Sequence, residues 1–379
     1  MNIAESERMR AMLAGEDNLV VVNSCAVTGE AVRQTRQAIR RARRDHPQAR
    51  LVVTGCAAEI DRALIGAMDE VDGLVPNAAK LDPRSWNVAG DAAPIAPART
   101  RAFVAVQNGC DHACTFCAIP QGRGASRSLT VAEVLQQIDS HCAAGAKEVV
   151  LTGVDLTSWG HDLSGAPRLG TLVQAILGAF HQLTRLRLSS VDGIEIDPLL
   201  FDLLAHEPRI MPHIHLSLQH GADLILKRMK RRHARADAVE LVGRLKALRP
   251  DIAVGADLIA GFPTEDACHH AANLAIIDDL DIVHAHIFPY SPRPGTPAAR
   301  MPQVARDVVK ARAAALRARA ATRRTAWLGK LVGETLPVLA ERDGTGYAPN
   351  YARVALPEGT AAGSIIDITP RKVREGLLR

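Results

Sequence analysis

Apolar and polar positions follow two different periods along this chain. Short unbroken apolar runs such as Leu19-Val-Val-Val22 and Leu51-Val-Val53 alternate with longer stretches in which apolar residues recur every three or four positions. Unbroken runs suit strands buried on both faces, and the 3.6-residue period suits helices packed against them. Residues 5 to 14 read as a helix, Leu19–Asn23 as a strand leading to Cys25, and residues 30 to 44 as a second helix. Leu51–Thr54 is a second strand ending at Gly55-Cys56, with a further helix behind it. This βαβ pattern predicts a parallel sheet covered by helices over residues 1–90.

The Ala- and Pro-rich run Gly90–Pro97 reads as a linker. Beyond it, strands Phe103–Val106, Glu148–Thr152, Leu186–Ser190, His213–Leu218, Ala253–Ile259 and Ile282–Phe288 alternate with helical stretches. Six such units curve into a partial barrel over residues 97–327, with chemistry expected at the carboxyl ends of the strands. The loops there are Gly-rich or polar: Asn108-Gly-Cys110, Thr152-Gly-Val154, Ser189-Ser-Val-Asp192, Gln219-His-Gly221, Ala260-Gly-Phe-Pro263 and Pro289–Arg293. Two strands break the apolar rule, because His213 and His215, like His284 and His286, fall on one face of their strand. Either a ligand-filled lumen with hydrogen-bonded histidines or a hydrolase metal site accommodates them, and no bridging Lys and Asp are evident for the second.

An Ala/Arg-rich helix over residues 303 to 327 leads to a tail of different character. In residues 328–379 short apolar runs alternate with Gly, Pro and Asn turns, which predicts a small all-β barrel. The fold class is therefore α/β with an appended β module. Tyr347 and Tyr351 stand out there because aromatics are only 3% of the chain. They read as base-stacking platforms or as core tyrosines.

At 47% hydrophobic and 23% charged the composition is that of a globular protein. No apolar run reaches the ~18 residues of a membrane helix, and the N-terminus lacks an apolar leader, which predicts a cytoplasmic protein without a membrane partner. The net charge of +5 is modest, but arginines cluster: Arg33, Arg36, Arg40, Arg41, Arg43 and Arg44 share one helix, Lys227–Arg232 holds five basic residues, and Arg317, Arg319, Arg323 and Arg324 crowd a third segment. Each is a solvated helix face or a polyanion contact.

Cys110, Cys114 and Cys117 are spaced by three and two residues on one short loop. Three thiolates so placed grip three irons of a cubane cluster and leave the fourth without a protein ligand. That iron is open to chelation by S-adenosylmethionine, whose reductive cleavage yields a 5′-deoxyadenosyl radical. A structural zinc site wants a fourth ligand that does not follow, and seven cysteines make an awkward count for disulfides.

The loop, with Ile119-Pro-Gln-Gly-Arg-Gly-Ala-Ser-Arg127 behind it, resembles the radical-SAM methylthiotransferases over nearly the whole chain. Cys25-Ala-Val-Thr-Gly-Glu-Ala-Val-Arg33 and Ile287–Pro302 resemble the branch that acts on threonylcarbamoyladenosine in tRNA. An isopentenyladenosine branch, a branch modifying a ribosomal-protein aspartate, and a non-catalytic iron–sulfur RNA-binding or redox-sensing protein are the alternatives. The resemblance implies two [4Fe–4S] clusters and S-adenosylmethionine, a tRNA anticodon stem-loop as partner, and a reductant of flavodoxin type. It assigns Cys110, Cys114 and Cys117 to the radical-generating cluster, and Gly153, Ser189, Ser190, Gln219 and Gly261 to the cofactor pocket. Ser217-Leu-Gln-His-Gly-Ala-Asp223 departs from the family's Ser-Leu-Gln-Ser-Gly-Ser-Asp at two positions. The tail resembles a TRAM domain.

Cys25 and Cys56 resemble two of three ligands of an auxiliary cluster. The family's first such cysteine lies upstream of the helix with which this chain opens, so an N-terminally truncated chain is expected, with Cys142 and Cys268 structural. Oligomeric state has no signature in the sequence.

Overall fold

The computed structural model describes residues 1–88 and 100–379, so the Gly90–Pro97 linker reading lies outside the described residues. These residues form two compact units. The first comprises the described residues of Met1–Ala96 with Asn108–Arg127 and Ser291–Arg300, and the second those of Pro97–Gln107 with Ser128–Tyr290 and Met301–Arg379.

The first unit is a three-stranded parallel sheet of Leu19–Ser24, Arg50–Gly55 and Gly73–Leu74. Along the middle strand Leu51 and Val53 pack with Ile39, Cys56 and Ile65, while Val52 packs with Met9, Val75 and Trp86. Period-2 alternation thus buries both faces, which is why that strand reads as an unbroken apolar run. The helix Gly29–Asp45 starts where Thr28 Oγ1 accepts the Ala31 N–H at 3.1 Å. The expected first helix is present as Asn2–Met12.

The second unit holds the predicted barrel strands in order. Arg101–Ala105, Glu148–Thr152 and Arg185–Leu188 form one parallel sheet, and Ser190–Val191, His213–Gln219, Ala253–Ala260 and Ile282–Pro289 form another. The predicted strand Leu186–Ser190 is therefore broken: Leu188 pairs with Leu151, Val191 pairs with Leu216, and Ser189 sits between them with its N–H on Leu151 O. One apolar core, including Val149, Leu151, Leu172, Leu186, Leu216 and Val254, runs beneath both sheets. The helix Arg306–Lys330 leads to a six-stranded mixed sheet with its own core of Leu328, Val338, Ala352, Val354 and Leu378. That sheet is joined to the barrel strands by buried arginines. Arg187 donates to Pro349 O and Ala348 O, and Arg185 donates to Pro337 O and Tyr347 O.

Candidate functional site

Cys110, Cys114 and Cys117 lie on an irregular loop of the first unit, all three partly exposed and outside any disulfide. Backbone bonds shape the loop: Cys110 N–H to Gly124 O at 3.1 Å, Cys117 N–H to Cys114 O at 3.2 Å, and Ala298 N–H to Thr115 O at 2.9 Å. Gly109 enters it at φ +78°, where an added Cβ would lie 1.9 Å from Ala125 O. Only glycine fits that conformation and that approach. Ile119 N–H already points at Cys117 Sγ, 3.4 Å away. A loop with three thiols facing partly outward and an amide donor to sulfur matches the donor chemistry of an iron–sulfur cluster.

The short helix Ile119–Arg123 fixes the loop's far end. Arg123, 6% exposed in its side chain, donates to Glu5 Oε1 at 2.7 Å, to Asn108 Oδ1 at 2.8 Å and to Asn2 Oδ1 at 2.9 Å. Lys80 Nζ meets Glu5 Oε2 at 2.7 Å. Burial works against the Glu5 carboxylate, but these two cations overcome it and hold its pKa at about 2.

Cys25 and Cys56 stand at the carboxyl ends of adjacent parallel strands. Ser24 Oγ ties those ends together, donating to Thr54 O at 2.6 Å and accepting from Ala57 N–H and Ala58 N–H at 3.1 Å. Gly122 packs on this site, since a Cβ there would come 3.1 Å from Cys56 Cβ. Burial pushes the Cys56 thiol up, and the Arg123 and Lys80 charges pull it back down. Both candidate cysteine sets thus belong to one unit, whereas Cys142 and Cys268 fall in helices Val131–Ala143 and Ala267–Asp279 of the other.

The other candidates occupy strand ends of the second unit. Gly153 forms a turn whose Val154 and Asp155 N–H groups donate to Gln107 Oε1 at 3.0 and 2.9 Å. Ser189 presents a buried hydroxyl without a hydrogen-bond partner, and its neighbour Ser190 begins the next strand segment. Gln219 closes its strand at φ +74°. Gly261 donates its N–H to Glu265 Oε2 at 2.8 Å.

Glu265 is a residue that sequence reading missed. It also meets His220 Nε2 at 3.3 Å and Arg312 at 3.1 Å, so it couples the loop after Gln219 to the loop at Gly261. His220, one of the two departures from the family pattern, is held there.

His215, His284 and His286 are hydrogen-bonded, whereas the buried His213 Nδ1 has no partner, and the Asp judged absent from their surroundings is Asp257 on the intervening strand. His215 Nε2 and His286 Nδ1 both lie 3.0 Å from Asp257 Oδ1. Gly255 leaves room for the imidazole, since a Cβ would lie 2.3 Å from His215 Nδ1. Burial opposes the Asp257 charge, and the two histidines outweigh it, holding its pKa at about 2. Tyr351 is packed rather than displayed, with Arg187 4.0 Å over its ring and the His213 ring 4.7 Å away, centroid to centroid. Tyr347 carries Arg101 4.6 Å over its ring.

Comparison with known proteins falls in the same place. The Radical SAM superfamily profile matches residues 104–275, and that of Uncharacterized protein family UPF0004 matches residues 1–76. The threonylcarbamoyladenosine tRNA methylthiotransferase MtaB of Rickettsia prowazekii (strain Madrid E) is 40% identical over 397 residues, covering 100% of this chain and 94% of that protein. The tRNA-2-methylthio-N(6)-dimethylallyladenosine synthase of Maricaulis maris (strain MCS10) is 32% identical, covering 91% of this chain and 85% of that protein. Among solved structures, the radical S-adenosylmethionine methyltransferase TsrM from Kitasatospora setae, with cobalamin and a [4Fe–4S] cluster bound, aligns with a TM-score of 0.53. Its identity is 17%, over 78% of this chain and 68% of that one, which is a likeness of fold.

Proposed function

Because the chain belongs to the radical-SAM tRNA methylthiotransferases, we propose that it inserts a methylthio group at carbon 2 of threonylcarbamoyladenosine next to the anticodon of tRNA. Full-length similarity at 40% to a protein named for that substrate carries the reading. The relative named for dimethylallyladenosine stands at 32%, which makes that base the second reading.

In this proposal Cys110, Cys114 and Cys117 hold a [4Fe–4S] cluster, which supplies the electron for reductive cleavage of S-adenosylmethionine. A radical is required because the carbon–hydrogen bond replaced is not acidic enough for a general base. Gly153, Ser189, Ser190, Gln219 and Gly261 shape the cofactor pocket. The partners of Gly153 and Gly261 fit that role, since Gln107 and Glu265 fix both loops before any ligand arrives. Cys25 and Cys56 hold an auxiliary cluster, with Arg123 and Lys80 offsetting negative charge near Cys56. Among the described residues the other cysteines of the same unit are Cys110, Cys114 and Cys117, already assigned, so the proposal names no third cysteine for this cluster. The electron comes from a flavodoxin-like reductant, and the RNA partner is the anticodon stem-loop, whose unpaired bases can be splayed out. Among the described residues no helix is long and apolar enough to cross a membrane.

Mass spectrometry of tRNA nucleosides from a deletion strain tests the reading. Loss of the 2-methylthio form of threonylcarbamoyladenosine alone supports it, loss of the isopentenyl counterpart moves the assignment to the second base, and an unchanged nucleoside profile removes it.

A further inference from the structure

The first unit contains a groove of about 400 Å³ that none of the chemistry above uses. Its walls are Gly29, Arg33, Arg36 and Arg40 of one helix, with Asp61 and Arg293 opposite. Two stretches that stand 262 residues apart in the sequence are joined here by the bond from Gly29 N–H to Ser291 Oγ, 3.0 Å long.

The six arginines of the Gly29–Asp45 helix do not behave alike. Arg43 is consumed by structure, bonding Glu70 O, Ala49 O and Asp72. Arg33 is matched by Glu30 at 2.6 Å, and Arg40 reaches Glu70 at 3.6 Å. Arg36 faces the groove without an ion pair among the described residues. Across from it Arg293 is 7% exposed in its side chain, its Nε has no hydrogen bond, and its nearest carboxylate, Asp61, is 3.9 Å away. A buried guanidinium N–H without an acceptor is costly, and here it lines an open cavity at the positive end of a 17-residue helix.

We propose that this groove binds phosphates of the RNA backbone, a contact that rests on the tRNA reading above and assigns it a surface. Arg36 and Arg40 stand about 6 Å apart along one helix face and carry planar guanidinium forks suited to phosphate oxygens, with the Glu30-paired Arg33 about 4.5 Å before them. An acidic protein partner would require an apolar centre for its interface, and among the described residues Val32 and Pro294 are the only apolar side chains of size lining the groove.

The test uses the full chain, anaerobically reconstituted, and a fluorescein-labelled anticodon stem-loop RNA followed by anisotropy across a salt series. Arg36→Gln/Arg40→Gln is expected to weaken binding by about tenfold and to make the log Kd–log salt slope shallower by roughly 1.4, as two lost single-strand phosphate contacts require. Arg293→Met should weaken binding as well. Arg244→Gln, on a helix of the other unit, is the charge control, and melting midpoints and iron content report folding. If wild-type protein fails to bind the RNA, the tRNA reading itself fails. If wild type binds and the double variant keeps its affinity and slope, only the groove assignment falls. It also falls if inorganic phosphate competes at constant ionic strength well beyond chloride, which marks a small-anion site. A third overturning result is a double variant that keeps RNA affinity but loses reduction by flavodoxin, which marks a protein-docking face.

Discussion

Glu5 and Arg123 form an ion pair sealed from solvent, 2.7 Å long with side chains 2% and 6% exposed, joining the first helix to the segment just past the cysteine loop. Lys80 shares the same carboxylate. Removing the anion leaves two buried cations facing each other, so Glu5→Gln should destabilise the first unit by about 3–5 kcal/mol. Chemical denaturation of the two proteins measures it. A variant as stable as wild type would show that the pair does not hold the loop.

The same carboxylate sets an acid limit. Its folded pKa of about 2 lies below the ordinary carboxylate value near ~4.3, so its contribution is complete above that ordinary value. It is lost as pH falls from about 4.3 toward 2. Wild-type stability should therefore drop more steeply over that window than that of Glu5→Gln, and parallel pH profiles would contradict the assignment.

Gly109 should not tolerate a side chain. Gly109→Ala must either move the Ala125 carbonyl or abandon φ +78°, and strain of that kind costs roughly 1–3 kcal/mol. The displacement falls on the residue preceding Cys110. Iron content and S-adenosylmethionine cleavage should both drop while the helical circular dichroism is retained, and full iron loading of the variant would exclude the effect.

The elements were legible because the chain states them locally. Leu51-Val-Val53 could only be a strand buried on two faces, and Gly- or Ser-bearing loops marked where each barrel strand stops. What the sequence concealed is pairing across distance. Asp257 sits inside an apolar run, and nothing local says that its carboxylate lies between His215 and His286. Glu265 follows Gly261-Phe-Pro263 and reads as an ordinary loop acid until His220 and Arg312 converge on it. Ser189 breaks its strand because two sheets part there, a consequence of tertiary curvature rather than of propensity. The cysteine spacing was the exception: a metal-ligand pattern on one loop is visible without the fold.

Removal of residues 328–379 tests how far the β module stands apart. The sequence alone suggests a separable RNA platform whose loss spares cofactor cleavage. Arg187, 1% exposed, pairs with the buried Glu148 at 2.8 Å while donating to two carbonyls of the module. A truncated chain loses those acceptors and the Tyr351 ring together. The expected result is a lower melting midpoint and reduced cofactor cleavage along with weaker tRNA binding. A truncated protein with full-length stability would restore the separable-platform view.

The two cysteine sets should be separable by iron counting, because three thiolates on one loop are sufficient for a cluster with one open iron and two thiolates at strand ends are not. Cys114→Ala leaves that loop two ligands, so cofactor cleavage should vanish. Cys25→Ser acts elsewhere, at a strand end tied to Cys56 through Ser24, and should leave cofactor cleavage intact while removing whatever methylthiolation of RNA the wild-type chain supports. If the auxiliary site lacks a ligand in this chain, the reconstituted wild type holds about four irons, and Cys25→Ser changes that number little. About eight irons with full methylthiolation would mean that Cys25 and Cys56 suffice with a ligand from outside the cysteines. Release of 5′-deoxyadenosine by Cys114→Ala at the wild-type rate would remove the radical mechanism from this loop.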